Sequence, residues 1–269
     1  MKLTDETYYS MQANLEYMSV SQYKSFMNCE AATLAELRGD YKRGSGNALV
    51  VGNYVHAWND GTLEAYKEKF KDDIYQKNGK PRADFIKADA MIETLAADKY
   101  CMKMLKGRKE VTITGEIAGA KWKGKIDVLN RRSGYFVDLK TTRSIIELQW
   151  SEKLRQKVSF IEMYDYMIQV AVYAELERMA AKRDYYLVPY IVAVSKEDIP
   201  DHAVISLADE YRIGHELEEI KKNMPHILDV KADKAKPVRC EKCEYCRQTK
   251  KIENPIFYTD LGGWMYGMQ

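Results

Sequence analysis

Long apolar runs, internal repeats and a strong excess of one charge are all absent from this sequence of 269 residues. No apolar stretch approaches the roughly 20 residues of a membrane-spanning helix, so no membrane partner is expected. The lack of repeats excludes a repeat array. A net charge of +2 excludes a protein that binds nucleic acid through a uniformly basic surface. Any such binding would need positive charge that is concentrated locally.

Apolar residues make up 46% of the sequence, which is ample for a hydrophobic core. The length suits one large domain or two small ones. We expect a single domain over residues 1–269, with an N-terminal helix and a C-terminal loop at 237–250 that contains cysteines. No secretory signal is recognised, so a cytoplasmic location and a reducing environment are expected.

The most informative pattern is a pair of aspartates followed by a lysine. Asp138 lies eleven positions after Asp127, and Lys140 follows two positions later. Alternating apolar residues predict two strands, about 122–129 and 135–140, joined by a turn. The apolar positions are Trp122, Gly124, Ile126 and Val128 in the first strand, and Tyr135, Val137 and Leu139 in the second. The acidic residues have the opposite parity, so a hairpin brings Asp127, Asp138 and Lys140 to one face.

This arrangement can hold a divalent metal ion beside a phosphodiester. Such an ion lowers the pKa of its bound water and neutralises charge that develops on the phosphate. Lys140 adds a point charge nearby, and the carbonyl of Leu139 is a further candidate ligand. The alternative is an ordinary hairpin whose polar side chains face water.

Glu116 and His56 are further candidate metal ligands. Glu116 lies on a predicted strand at 111–118, on the face opposite to its apolar residues, and we expect it beside Asp127. His56 follows Gly52 by four residues in a predicted helix, so the two share one helical face. Oxygen-rich ligand sets suit Mg²⁺ or Mn²⁺. The alternatives are a solvated glutamate and a histidine buried in the core.

Four short motifs occur in the order found in a known family of nucleases: G-x-x-x-H (Gly52, His56), G-x-x-D (Gly124, Asp127), D-x-K-T (Asp138, Lys140, Thr141) and Q-x-x-x-Y (Gln169, Tyr173). The chain resembles the RecB-like and RecE-type (exonuclease VIII-like) nucleases of the PD-(D/E)XK superfamily from about residue 19 to 246. The resemblance implies that His56, Asp127 and Asp138 bind the metal and that Lys140 assists catalysis. Gln169 and Tyr173 would support the site and the path of the DNA. The proline of the family signature is absent near Asp127.

The resemblance also implies an α/β fold of the restriction-endonuclease-like type, with a mixed central sheet flanked by helices. The predicted elements follow that order. They are helices at about 21–37, 48–70 and 83–105, strands at 111–118, 122–129 and 135–140, a helix at 160–182, strands at 186–194 and 203–206, and a helix at 209–228. Ser19 or Ser21 is suited to cap the first helix. The C-terminal tail has no clear period.

The cysteines form a second pattern. Cys240, Cys243 and Cys246 can supply three ligands to a soft metal centre, and Cys29 can supply the fourth. Similar nucleases, the AddB-type and CRISPR-associated members, use one early and three late cysteines to hold a [4Fe–4S] cluster that clasps the domain ends. Their last two cysteines are usually further apart than Cys243 and Cys246. Zn²⁺ and free thiols are the alternatives, and disulfides are the least expected state in a reducing environment.

The resemblance therefore implies a metal-dependent DNA exonuclease that acts in phage-type recombination or DNA repair. Its expected partners are DNA, a single-strand annealing protein and a second copy of the chain in a homo-oligomer. Local positive charge flanks the predicted hairpin, for example at Lys121, Lys123, Lys125, Arg131 and Arg132. Two alternatives remain. One is a non-catalytic nucleic-acid-binding module, and the other is an iron–sulfur or zinc structural subunit of a DNA-processing complex.

Overall fold

A five-stranded mixed sheet forms the centre of the computed structural model, which describes residues 3–4, 6–44, 47–252, 254–255 and 257–258. The end of the C-terminal tail, for which the sequence predicts no periodic element, lies outside the described residues. The strands are β1 Arg108–Ile117, β2 Ala120–Asn130, β3 Tyr135–Thr142, β4 Gln149–Ser151, β5 Gln156–Val158, β6 Val188–Ser195 and β7 His202–Ser206. The central sheet has the order β1-β2-β3-β6-β7, and β4 and β5 form a separate two-stranded sheet.

The pairing of the central strands explains why the sheet is mixed. β1 pairs antiparallel with β2, and β2 pairs antiparallel with β3, because short turns join these consecutive strands. β3 and β6 are parallel, since a helical crossover separates them in the chain, and β7 pairs antiparallel with β6. The predicted mixed sheet flanked by helices is confirmed. The hairpin of β4 and β5 was not among the predicted elements.

Helices cover both faces of the central sheet. They are α1 Met11–Glu16, α2 Val20–Asn28, α3 Glu30–Arg38, α4 Asn47–Asp60, α5 Leu63–Lys69, α6 Lys71–Ile74, α7 Ala83–Ala97, α8 Lys99–Met104, α9 Phe160–Met163, α10 Tyr166–Ala180, α11 Glu210–Lys231 and α12 Glu244–Gln248. One core lies between the sheet and α2, α3, α10 and α11. The other lies between the sheet and α4, α7 and α8. β3 serves both cores, because Phe136 packs in the first and Val137 and Leu139 pack in the second.

Four of the predicted long helices are each divided into shorter ones by the local backbone. Cys29 separates α2 from α3 with an extended φ of −165°. Asp98 ends α7 and caps α8 by accepting a hydrogen bond from Cys101 N. Asp165 separates α9 from α10 in the left-handed region, with φ of 49°. Helical spacing of apolar residues continues across such breaks, so periodicity alone does not locate them.

Two local predictions agree with the structure. Ser19 caps α2, since its side chain accepts a hydrogen bond from Gln22 N. The predicted helix at 209–228 corresponds to α11, which begins after its cap Asp209. Within the described residues, no helix combines the length and the apolar character that crossing a membrane requires.

Gly124 allows α10 to lie unusually close to β2. A Cβ atom at this position would be 2.7 Å from Cε1 of Tyr173, and real Cβ atoms do not approach other atoms so closely. The glycine of G-x-x-D and the tyrosine of Q-x-x-x-Y are therefore in direct contact. Their contact sets the distance between the sheet and the helix that carries Gln169.

We expect Gly124→Ala to lower the free energy of unfolding by about 1–3 kcal/mol, because the added methyl group forces α10 away from β2. Chemical denaturation measures the change. Gly214→Ala is the matched control, since no atom lies within 4 Å of a Cβ at that position in α11. It should be stabilising by about 0.5–1 kcal/mol. Wild-type stability in Gly124→Ala would show that the close approach imposes no constraint.

Candidate active site

Polar side chains from β1, β2, β3, α4 and α10 meet in one cavity of about 840 Å³. The cavity is lined by His56, Glu110, Asp127, Asp138, Lys140 and Gln169, among others. The N-terminal segment around Tyr8 forms part of its wall. Asp127 and Asp138 are both buried at its base.

Asp127 lies where β2 and β3 separate. The paired residues of the two strands end at Val128 and Val137. Beyond them, Asp127 Oδ2 accepts a hydrogen bond of 2.7 Å from Leu139 N. The carboxylate thus takes the position that a strand carbonyl would otherwise occupy. Because N–H and C=O of one strand residue project to the same edge, the Leu139 carbonyl is directed to this side as well.

The alternation of β2 is interrupted at Asp127. Ile126 packs in the first core, whereas Val128 packs in the second, although the two are separated by only one residue. The prediction that Trp122, Gly124, Ile126 and Val128 share one face is therefore wrong at Val128. The local distortion turns Asp127 into the cavity.

On β3, the buried Asp138 pairs with the half-buried Lys140. Lys140 Nζ is 2.6 Å from Asp138 Oδ2, and Gln169 Nε2 donates a 2.6 Å hydrogen bond to Asp138 Oδ1. Burial raises the pKa of Asp138, with Lys140 opposing and Asp127 adding to the rise. Burial acts to lower the pKa of Lys140, but Asp138 and Asp127 raise it overall. Lys140 therefore remains a cation in the cavity.

His56 reaches the same cavity from α4. Its Nδ1 is 3.5 Å from Asp127 Oδ1. Burial acts to lower the pKa of His56, but the Asp127 carboxylate raises it overall. One turn earlier, a Cβ at Gly52 would be only 3.6 Å from Thr141 Oγ1, so the glycine face of α4 lies against β3. With the G-x-x-x-H spacing, Gly52 packs against β3 and His56, one turn later, reaches the cavity.

Glu110 is a site residue that the sequence reasoning missed. The pairs Lys109 with Val128 and Val111 with Ile126 place Glu110 opposite Asp127 in the register of β1 and β2. Its backbone is left-handed, with φ of 49°. Burial and the nearby Asp127 raise its pKa to about 7. Counting back from the turn at Gly119 would have identified it.

Glu116 does not lie beside Asp127, so that prediction is wrong. It is exposed and stands opposite Lys121 in the strand register. Six residues of strand separate it from Glu110, which corresponds to about 20 Å. Strand parity indicates a face of the sheet, and it does not indicate the position along the strand.

The donor set of the cavity fits a hard divalent cation. His56, Glu110 and Asp127 offer ligand atoms that lie within 4.8 Å of one another. Carboxylate oxygens with one imidazole nitrogen suit Mg²⁺ or Mn²⁺. Asp138 belongs to the same cavity, with its two oxygens held by Lys140 and Gln169.

Tyr173 also lines the cavity, one turn after Gln169 on α10. Its side chain is partly buried and packs against the first core. The structure therefore brings together both residues of the Q-x-x-x-Y motif with the aspartates and the lysine.

Four cysteines form a separate cluster that joins the start of α3 to α12 and the loop before it. Cys29 Sγ lies 3.6 Å from Cys246 Sγ and 3.8 Å from Cys243 Sγ, and Cys240 Sγ lies 4.0 Å from Cys246 Sγ. Burial acts to raise the pKa of Cys240, but N–H groups of Lys242 and Cys243 lower it to about 6. Thiolates bonded at 2.3 Å to one tetrahedral ion stand about 3.8 Å apart. The cluster therefore fits a single soft ion directly.

Comparisons with known proteins agree with this geometry. Residues 19–249 match the family described as "PDDEXK-like domain of unknown function (DUF3799)". The crystal structure of a "putative exonuclease" from Eubacterium rectale is 36% identical, and the alignment covers all of both chains with a TM-score of 0.90. The structure of SSO0001 is 17% identical over 79% of this chain and 89% of that chain, with a TM-score of 0.29, and it has no bearing on the fold. None of the curated proteins compared with the chain matches it.

The family match covers most of the chain, and the similar crystal structure has the same fold throughout. The cavity with Asp127, Asp138 and Lys140 lies within the matched residues. The chain therefore belongs to the PDDEXK-like family DUF3799 and is a nuclease of the PD-(D/E)XK superfamily.

Proposed function

We propose that the protein is a Mg²⁺- or Mn²⁺-dependent exonuclease that hydrolyses DNA from its ends. The observation that carries this proposal is the convergence of Asp127, Asp138 and Lys140 in one buried cavity with His56. We further propose that the 269 residues form a single nuclease domain of the RecE type. In that role it would work with a single-strand annealing protein in phage-type recombination or DNA repair.

The chain's own residues account for binding and orientation in this mechanism. His56, Glu110, Asp127, Asp138 and the Leu139 carbonyl would hold the metal. When bound, the ion supplies an activated water and neutralises charge on the phosphate. Lys140, which is protonated and fixed by Asp138, donates to the phosphate oxygen or orients the water. Gln169 keeps Asp138 in place through its amide N–H.

Two parts of the chain flank the cavity. The N-terminal segment forms one wall, and Lys123 secures it by donating to the Tyr8 carbonyl and to Asn14 Oδ1. α4 and α5 form the opposite wall, which includes Tyr66. The similarity to the "putative exonuclease" supports the choice of exonuclease.

Digestion of linear and of closed circular DNA distinguishes an exonuclease from an endonuclease. We expect the protein with Mg²⁺ to degrade end-labelled linear duplex and to leave covalently closed circles intact. EDTA should stop the reaction. Cleavage of closed circles at the rate seen for linear DNA would assign an endonuclease instead.

Asp138→Ala and Lys140→Ala should each reduce the rate of DNA hydrolysis by about 10²–10³. The first variant loses a carboxylate at the metal, and the second loses the cation at the phosphate. Both should retain DNA binding, which depends on basic side chains around the cavity. Asp198→Ala is the control, because Asp198 pairs with Lys87 on the exposed surface. Wild-type turnover in Asp138→Ala would exclude the mechanism.

Glu110→Gln should raise the Mg²⁺ concentration needed for half-maximal activity by at least about tenfold, since a charged ligand is lost. Calorimetric titration with Mn²⁺ should show the same loss without DNA present. Glu116→Gln is the matched control on the same strand and should behave like the wild type. Equal effects of the two substitutions would remove Glu110 from the metal site.

We also propose that Cys29, Cys240, Cys243 and Cys246 bind one metal centre that clasps the chain ends. Their thiol separations favour Zn²⁺, whereas a [4Fe–4S] cluster binds each thiolate to a different iron and needs them farther apart. Cys29 and Cys240 are 211 positions apart in the sequence. A centre held by both therefore links segments that the unfolded chain keeps distant.

Cys246→Ser should abolish the bound metal and lower the free energy of unfolding by at least about 2 kcal/mol, or roughly 4–8 °C in Tm. Elemental analysis of anaerobically purified protein for zinc, iron and sulfide identifies the centre. Cys101→Ala, which changes a cysteine outside the cluster, should keep the metal that the four cluster thiols bind; Cys101 lies apart from them, beside Asp98 and His202. Metal-free wild-type protein with four titratable thiols would contradict the clasp.

A further inference from the structure

The hairpin of β4 and β5 has one face on the protein and one face in water. Ser151 and Val158 lie on the inner face and are 6% and 2% exposed. Trp150 lies on the outer face and is 51% exposed. Lys157 is its direct cross-strand partner and shares that face.

The indole of Trp150 is also held in one orientation. Its Nε1 donates a hydrogen bond of 2.8 Å to Glu152 Oε1. This bond limits rotation of the ring, which reduces the conformational freedom lost when another planar group stacks on it.

The hairpin carries local positive charge around this ring. Between Gln149 and Val158 there are three cations and one carboxylate, so the net charge is +2. Lys153 and Arg155 are largely exposed, at 71% and 76% of their side chains. An aromatic face with cations beside it is the combination that binds single-stranded nucleic acid.

In the chain, the hairpin lies between two elements that carry site residues. It follows β3, which carries Asp138 and Lys140, and it precedes α10, which carries Gln169. Lys153 Nζ is 3.1 Å from Asp165, the residue before α10. The rings of Tyr164 and Tyr166 are 5.9 Å apart, and Lys140 Nζ lies 5.0 Å from the centre of the Tyr166 ring. Aromatic groups therefore continue from the catalytic lysine to the surface beside the hairpin.

We propose that the β4–β5 hairpin is a subsite for an unpaired stretch of the DNA strand that adjoins the cleavage position. A base stacks on Trp150, and the neighbouring phosphates contact Lys157 and Arg155. The ring requires an unpaired base, because a paired base inside a duplex has no free face. This inference rests on the proposed function, since it identifies the form of DNA that the same cavity receives.

Binding of a labelled oligothymidylate in EDTA tests the subsite without cleavage. We expect Trp150→Ala to weaken binding about tenfold, whereas Trp150→Phe, which keeps an aromatic face, should stay within about threefold of the wild type. On an abasic strand of the same length, Trp150→Ala and the wild type should bind equally. Lys157→Gln should weaken binding to both strands and reduce the salt slope by about 0.7. Tyr211→Ala, which removes an exposed aromatic on α11, is the control.

Nuclease assays with the same variants separate this subsite from the proposed function. If wild-type protein digests DNA with Mg²⁺ and Trp150→Ala binds and digests single strands like the wild type, the subsite is wrong and the nuclease function stands. If Trp150→Ala weakens strand binding but wild-type protein digests nothing, the subsite stands and the nuclease function is wrong. If Trp150→Ala alters only the oligomeric state, measured by light scattering, the outer face binds a second copy and the proposal is overturned.

Discussion

The hydrogen bond from Leu139 N to the Asp127 carboxylate decides where the active site lies. Paired residues of β2 and β3 end at Val128 and Val137, and beyond them a side chain rather than a backbone carbonyl joins the strands. This contact directs Asp127 into the opening between the strands, and Glu110 stands opposite it on β1. A buried N–H without this partner would cost about 1–3 kcal/mol, so the arrangement of the strands and the position of the carboxylate depend on each other.

Charge balance keeps the buried site in place. Asp138 contacts the Lys140 cation and accepts a hydrogen bond from Gln169. Asp127 contacts His56, so each of the two buried carboxylates has a cationic or hydrogen-bonding partner. Desolvation of such groups is costly, and a buried ionic network is weak support for stability. Its advantage is preorganisation, because fixed charges stabilise a developing charge on the phosphate without rearranging.

Contacts between helices and strands bring distant segments to this site. Gly52 on α4 lies against β3, and Gly124 on β2 lies against Tyr173 of α10. These contacts deliver His56 from one side of the sheet and Gln169 from the other. The cysteine cluster joins Cys29 with the loop at 240–246 outside the cavity. The β4–β5 hairpin leaves the sheet between two elements that carry site residues.

Local patterns in the sequence determined the strands β1 to β3, the common face of Asp138 and Lys140 on β3, and the motif spacings of His56 and Gln169, because each depends on side-chain periodicity within one element. The turn of Asp127 into the same cavity depends on the interrupted alternation of β2, which only the structure shows. Periodicity could not locate the helix breaks at Cys29 and Asp165, which are set by single backbone angles. It also could not choose Glu110 over Glu116, since both lie on β1; the register counted from the turn at Gly119 is needed to place Glu110 opposite Asp127. The exposed outer face of Trp150 was likewise decided by tertiary packing, because three-residue strands are too short to show alternation.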